Sequence, residues 1–384
     1  MLLAISKGGN MKKNKKIGKI FYIIFMTQII IYYLGGSNLT VKRIGEFYIK
    51  QNDKNFIQKP NAFFVDENEQ FFIIDKGSFN IKVYNRKGVF IRSFGRKGVG
   101  PGEFLSPTLI TGINNKIFIY DFKRKKLLYF IRERSNIYFK ESSLFPYFIS
   151  GIKAISDDKL LVSGVMYMIK NKKRIYYSLA FYDIKQRKFR YIIPSCFLYG
   201  LKTNKEYSGF LMHKLLNISP AVVGDYNGNE FAQAPVTMFR IVFANMKGNI
   251  ISRVEGKSSR FIKPEYNRKL EKLIMMRKLK EAANYLSEKS YIEKLFYIDK
   301  TKKVVVIFSS FNKKNISKDY FLYVYNKKRK LLYNVKLISG DKGKSLKSLF
   351  YYNAKNKILY VLETISSGFS DLKYKISKFK MIDK

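Results

Sequence analysis

From Thr40 onward the chain alternates short runs of Ile, Phe, Tyr and Val with small polar clusters, the pattern of strands joined by tight turns. Asn61 to Phe94 shows it most clearly. The runs Ala62-Phe63-Phe64-Val65, Phe71-Phe72-Ile73-Ile74-Asp75, Ile81-Lys82-Val83-Tyr84 and Val89 to Phe94 are separated by polar turns at Asp66 to Glu69, Lys76 to Ser78 and Asn85 to Gly88. This predicts a four-stranded antiparallel meander. Its third hairpin is read again at Tyr120 to Arg124, Tyr182 to Gln186, Ala244 to Gly248, Tyr325 to Arg329 and Tyr374 to Lys378, which with Tyr84 to Gly88 makes six occurrences.

A four-stranded sheet that is apolar on both faces needs a neighbour on each side, and repeating it around a channel supplies both. The predicted fold is therefore all-β, a six-bladed β-propeller of four-stranded antiparallel blades over residues 38–384. The 325 residues from 60 onward give about 54 per blade, above the roughly 40 to 50 usual for such repeats. The excess is placed in a helical insertion before blade five, at about 264–296. There Leu270, Leu273, Ile274, Leu279, Ala282, Ala283 and Leu286 fall on helical spacing. Val41 to Lys50 reads as an extended segment that closes the ring by pairing with the last blade, which would remove two exposed sheet edges.

Upstream, Met11-Lys12-Lys13-Asn14-Lys15-Lys16 leads into an uncharged run from Ile20 to Leu34, and Gly35-Gly36-Ser37 follows. A basic stretch, an apolar stretch and a small-residue exit form a secretory signal. Counted from residue 17 to 34, the same hydrophobic helix is nearly long enough to span a bilayer. Residues 1–37 are thus a signal peptide or a membrane anchor, and the remainder is placed outside the cytoplasm, secreted, periplasmic or anchored. No Cys lies near the end of the apolar run to carry a lipid.

Charge changes the picture less than its size implies. The 384 residues carry 74 Lys+Arg against 28 Asp+Glu, a net +46. The lysines are spread along the whole chain and arrive with abundant Ile, Asn, Phe and Tyr, as compositional drift produces, whereas nucleic-acid binders concentrate them on one face or in a tail. Non-specific adhesion to anionic surfaces follows, and no specific nucleic acid is expected.

Between the first two repeats lies Phe94-Gly95-Arg96-Lys97-Gly98-Val99-Gly100-Pro101-Gly102-Glu103-Phe104-Leu105-Ser106-Pro107. It lacks the Gly-Lys-Ser/Thr ending and the following helix of a phosphate loop. Gly95, Gly98, Gly100, Pro101, Gly102, Glu103 and Phe104 are read as a structural interblade loop, with Phe104 dropping into the core. This run, with Lys116 to Asp121 and the earlier Phe72 to Asp75 and Ile81 to Tyr84, resembles NHL repeats, in particular the exported six-bladed propeller proteins of bacteria. The resemblance covers roughly residues 55 to 130. It implies the fold, export and a binding or scaffold role, and it brings no catalytic residue.

The inventory of reactive groups narrows the chemistry further. One Cys (Cys196) and one His (His213) exclude a His-rich or Cys-based metal site and an internal disulfide. No Gly-x-Ser-x-Gly motif accompanies His213. Oxygen ligands for calcium exist at Asp66, Asp75, Asp121, Asp157, Asp225, Asn229, Glu230 and Glu363, although most fall where Asp and Asn serve turns. The expectation is a non-catalytic extracytoplasmic module that binds a protein, peptide or glycan on one face of the propeller and needs no cofactor. A calcium-dependent hydrolase of the lactonase or esterase kind is the alternative.

Overall fold

In a computed structural model of the chain the described residues are 39–52, 55–134, 136–195, 222–256, 260–262, 285–298, 302–312, 317–326, 328–339, 345–366 and 372–383, with single positions at 272, 276, 278 and 281. The signal or anchor segment, Cys196 and His213 lie outside them. Contacts separate Val41–Met381 from a second unit of residues 1–40 and 382–384, whose described positions are all strand residues. Among the described residues no helix is long and apolar enough to cross a membrane.

The strands form six four-stranded sheets. A first strand, β1 (Leu39–Tyr48), precedes blade one, which contains β2 (Pro60–Val65), β3 (Phe71–Asp75), β4 (Asn80–Tyr84) and β5 (Phe90–Phe94). Blade two contains β6 (Pro107–Ile113), β7 (Lys116–Asp121), β8 (Lys126–Glu133) and β9 (Asn136–Leu144). Blade three is β10 (Phe148–Ser156), β11 (Lys159–Lys170), β12 (Lys173–Asp183) and β13 (Lys188–Pro194). Blade four is β14 (Val222–Tyr226), β15 (Glu230–Pro235), β16 (Arg240–Asn245) and β17 (Ile250–Glu255). Blade five is β18 (Tyr291–Ile298), β19 (Lys303–Asn312), β20 (Ser317–Tyr325) and β21 (Leu331–Ile338). Blade six is β22 (Ser345–Asn353), β23 (Ile358–Ser366) and β24 (Leu372–Asp383), completed by β1 in the order β1-β24-β23-β22. The chain is a six-bladed β-propeller. Its first blade has the four strands read from the sequence, and its ring closes through the N-terminal strand.

That closure corrects one hairpin. Tyr374 to Lys378 lies inside β24, paired residue by residue with Lys375↔Glu363 and Ile376↔Leu362 of β23. Blade six takes its fourth strand from the other end of the chain, so it needs no third hairpin. Tyr120 to Arg124 also joins the second and third strands of blade two, not the third and fourth. The helical insertion needs a second correction. Most of residues 264–284 lies outside the described residues and 285–287 form a helical turn, but β18 begins at Tyr291, inside the predicted helix. Tyr-Ile-Glu-Lys-Leu-Phe-Tyr-Ile fits either period, and interblade burial of Ile292, Leu295, Phe296 and Tyr297 selects the strand.

Packing joins neighbouring blades. Phe72 and Ile74 of blade one meet Ile117, Ile119 and Leu128 of blade two. Leu161 and Phe181 of blade three meet Phe231 and Ala244 of blade four, and Tyr360 and Ile376 of blade six meet Phe71 and Ile73 of blade one. Each buried Phe or Ile contributes about 2 kcal/mol, realised only when the adjacent blade is in place. Buried tyrosines tie in the connections: Tyr84 donates to the Asn55 carbonyl at 3.0 Å, Tyr374 to that of Ile57 at 3.0 Å, and Tyr120 to that of Tyr147 at 2.7 Å.

Carboxylates secure the same junctions. Asp75, fully buried, accepts the N–H groups of Gln58 (3.0 Å) and Lys59 (2.8 Å), the Ser78 hydroxyl (2.7 Å) and the Lys82 ammonium (2.6 Å). Asp121 accepts Leu105 and Ser106 N–H in the equivalent place. Between blades, Arg132 pairs with Asp66, Arg329 with Glu230 at 3.0 Å, and Lys378 with Glu69 at 3.0 Å. Burial pushes the carboxyls of Asp75 and Glu69 up, but their donors outweigh it and both end below the usual range. The Asp75 donors are Lys82, the two N–H groups and Ser78; those of Glu69 are Tyr360 and Lys378, aided by the charge of Arg86.

Deleting residues 39–48 should lower the thermal midpoint by at least about 10 °C, the equivalent of several kcal/mol in a chain of this size, and cause self-association through the bared edge of β24. Scanning calorimetry with light scattering checks this. Because the folded carboxyls titrate below their unfolded values near 4, their stabilisation is complete above that pH and is lost as pH falls through the lowered values. Denaturation at pH 3 should therefore need less urea than at pH 6. Asp75→Asn, which strands the Lys82 ammonium, should cost about 3 kcal/mol at pH 7 and flatten that dependence.

Candidate functional site

The first strands of the blades, β2, β6, β10, β14, β18 and β22, stand side by side around a central cavity of about 440 Å³. That volume suits a small ligand. Five of these strands, all but β14, carry a β-bulge near their start, at Pro60/Ala62, Pro107/Leu109, Ile149/Gly151, Ile292/Lys294 and Ser345/Lys347. A bulge turns the strand and re-aims the side chain that follows it. In β18 that side chain is Lys294, which lines the cavity.

The lining combines two kinds of surface. Phe64, Leu109, Phe296, Leu349 and Tyr351 supply aromatic and aliphatic surface, with Phe64 and Tyr351 edge-to-face at 5.5 Å and Phe296 stacked on Tyr352 at 4.2 Å. Burial pushes the Tyr351 hydroxyl above its ordinary value, with the charge of Asp66 adding to it. The lining also includes Lys153 of blade three, Asp225 of blade four and Lys294 of blade five, the last on the same strand as Phe296. The Lys153 ammonium donates to Asp225 Oδ1 at 2.5 Å, while the Asp225 carboxylate also accepts the N–H of Tyr226 (2.7 Å) and, across the next junction, that of Tyr297 (2.9 Å). Burial lowers the Lys294 amine from its ordinary value, Asp225 opposes the shift and the positive charge of Lys153 adds to it. One carboxylate therefore pairs with one ammonium group, Lys153, and acts on Lys294 only through its charge.

The other acids on the wall are engaged. Asp66 holds Arg132 and the N–H groups of Asn68 and Gln70, Glu67 holds Lys355 at 2.8 Å, and Glu293 accepts the Ser309 hydroxyl at 2.7 Å.

Of the eight calcium candidates, only Asp66 and Asp225 line the cavity. Asp75 and Asp121 hold interblade backbone, Asp157 accepts Asn114 at a surface turn, Asn229 donates its N–H within a turn, Glu230 pairs with Arg329, and Glu363 accepts Ser377. Among the described residues no three His, Cys, Asp or Glu side chains cluster as metal ligands would.

The glycine-rich loop is engaged with itself. Gly98 N–H donates to the Phe104 carbonyl (3.0 Å) and Gly100 N–H to Glu103 (2.8 Å), so neither is open to an anion. Arg96 pairs with Glu103 at 2.7 Å, and Arg124 donates to the Val99 and Glu103 carbonyls. Gly95 has φ +78°, and a Cβ there would stand 2.2 Å from the buried Phe104 ring, so the loop needs a glycine at that point. Pro101 and Gly102 form the turn at the loop's far end.

Sequence reasoning missed Lys153 and Lys294. Among 74 basic residues a lysine carries no signal of its own. The usable clue was Glu293-Lys294 set inside Ile292, Leu295 and Phe296, and reading that stretch as helix concealed it.

Comparison with known proteins agrees with the architecture. The family DUF5128, described as a 6-bladed beta-propeller, matches residues 47–212. The match takes in all of blades one to three. Among solved structures, a member of the DUF4221 family from Bacteroides vulgatus is similar at 11% identity and TM-score 0.61, covering 91% of this chain and 100% of its own. A protein from Bacteroides fragilis described as exported is similar at 16% identity and TM-score 0.54, covering 90% and 96%. A streptogramin B lyase is a more distant likeness, at 8% identity and TM-score 0.46, covering 89% and 98%. No curated protein matches the sequence at a significant level.

Amine acylation mapped by mass spectrometry should show Lys294 reacting with a pH midpoint below the ordinary lysine value. Lys153→Met should move that midpoint back up, because one of the charges that lowers it is gone. A midpoint for Lys294 at the ordinary lysine value would contradict the buried environment.

Proposed function

We propose that the protein is a non-catalytic, extracytoplasmic binding propeller whose ligand, a protein segment, peptide or glycan, is taken at the mouth of the central channel. The observation that carries this is the preformed cavity of about 440 Å³ lined by aromatic and charged side chains together. A rigid ring of sheets holds that lining, the arrangement that binding sites favour. Six of the eight candidate oxygen ligands lie in turns, interblade joints and ion pairs away from the cavity, which supports the binding reading over the hydrolase alternative. The location rests on the basic and apolar pattern of residues 12–34, and the similar fold from Bacteroides fragilis is described as exported.

Cell fractionation with N-terminal sequencing tests the location: the protein is expected in the envelope or medium, either shortened near residue 37 or intact and membrane-bound. Recovery in the cytosol would overturn it. Native mass spectrometry of protein purified from its own cells tests the binding, with an adduct lost on denaturation as the expected result and thermal stability indifferent to EDTA. Loss of the folded transition in EDTA would return calcium to the account.

A further inference from the structure

The cavity is lined by Asp66, Glu67, Asp225 and Glu293 and by Lys153, Lys294 and Lys355, and each acid is already held by another group: Arg132, Lys355, Lys153 and the Ser309 hydroxyl respectively. Asp225 is already committed to Lys153 and to the N–H groups of Tyr226 and Tyr297. Lys294 has no ion pair to any described acid, although it stands on the buried inner strand of blade five and immediately follows a bulge that re-aims it. A half-buried ammonium in that position is desolvated without a partner, and an anion in the cavity would supply one.

The apolar part of the lining limits what kind of anion fits. Phe64, Phe296 and Tyr351 offer rings and Leu109 an aliphatic edge, surface that a bare inorganic ion leaves unused. An organic molecule with an apolar body and one acidic group would cover the rings and place its charge at Lys294.

We propose that the channel is a binding site for a small organic monocarboxylate with an aromatic or aliphatic body, its carboxylate held by Lys294 with support from Lys153, and its body lying against Phe64, Phe296 and Tyr351. Asp225 fixes Lys153 and sets the limit of one anionic group, since a second would face its charge. This rests on the channel-binding reading above and narrows its ligand, including a peptide or glycan that enters by a single carboxyl group.

Calorimetric titration of the whole protein in 0.15 M salt tests it, with phenylacetate, 2-phenylethanol and inorganic phosphate as probes. Phenylacetate should bind one to one, 2-phenylethanol at least tenfold more weakly, and phosphate should not displace phenylacetate. Lys294→Met should weaken phenylacetate about tenfold or more with the thermal midpoint retained. Lys185→Met, which removes an exposed lysine outside the cavity lining, should change it less than about twofold, so that general attraction to a +46 surface is separated from the site. Equal binding of the alcohol and the acid, equal loss in both variants, or absence of phenylacetate binding would overturn the monocarboxylate assignment. The channel reading itself would survive the first of these. It would fall only if crystals soaked with all three probes, and the native protein's own adduct, left the cavity untouched.

Discussion

A four-stranded sheet that is apolar on both faces has nowhere to put one of them. Phe71 and Ile73 look one way from blade one and Phe72 and Ile74 the other, and each set is buried only because a different blade covers it. Every blade is thus the core of its two neighbours, and no single blade has a stable surface to present to water. The arrangement ends only by closing, which is why β1, from the beginning of the chain, completes the sheet built by β22 to β24. The hydrophobic effect sets the requirement, and the ring satisfies it for every blade at once.

Closure leaves the first strand of every blade with an unpaired edge facing inward, and these six edges enclose the cavity. The bulges near their starts twist them away from regular pairing. They also bring polar side chains such as Lys294 onto a wall that otherwise continues the apolar core. A cavity at the axis follows from the fold; its chemistry follows from what each blade happens to carry at its innermost strand.

Electrostatics then works with a scarce resource. With 28 acids against 74 bases, carboxylates are few, and several stand at joints: Asp75 and Asp121 hold interblade connections, while Asp66, Glu69, Glu230 and Asp225 bridge from one blade to the next. A buried carboxylate with several donors is worth keeping only where it orders backbone as well as charge. Most of the lysine excess is on the outside; Lys82 is buried against Asp75, and at the channel Lys153 takes Asp225 while Lys294 is left without an ion pair among the described acids.

The repeat of Ile, Phe and Tyr runs with polar turns was enough to reveal strands, the four-stranded unit, the number of blades and the closing role of the segment after Thr40, because period-2 burial and turn chemistry are local properties of the chain. The Asp and Tyr at strand ends were visible for the same reason. Two things were decided by tertiary structure. Residues Tyr291 to Ile298 fit helix and strand alike, and only the faces offered by blades four and six selected the strand. The grouping of Lys153, Asp225 and Lys294 joins positions up to 141 residues apart that no spacing relates. Proximity across a closed ring is a property of the assembled blades, so the candidate site became legible only once the inner strands stood around their common axis.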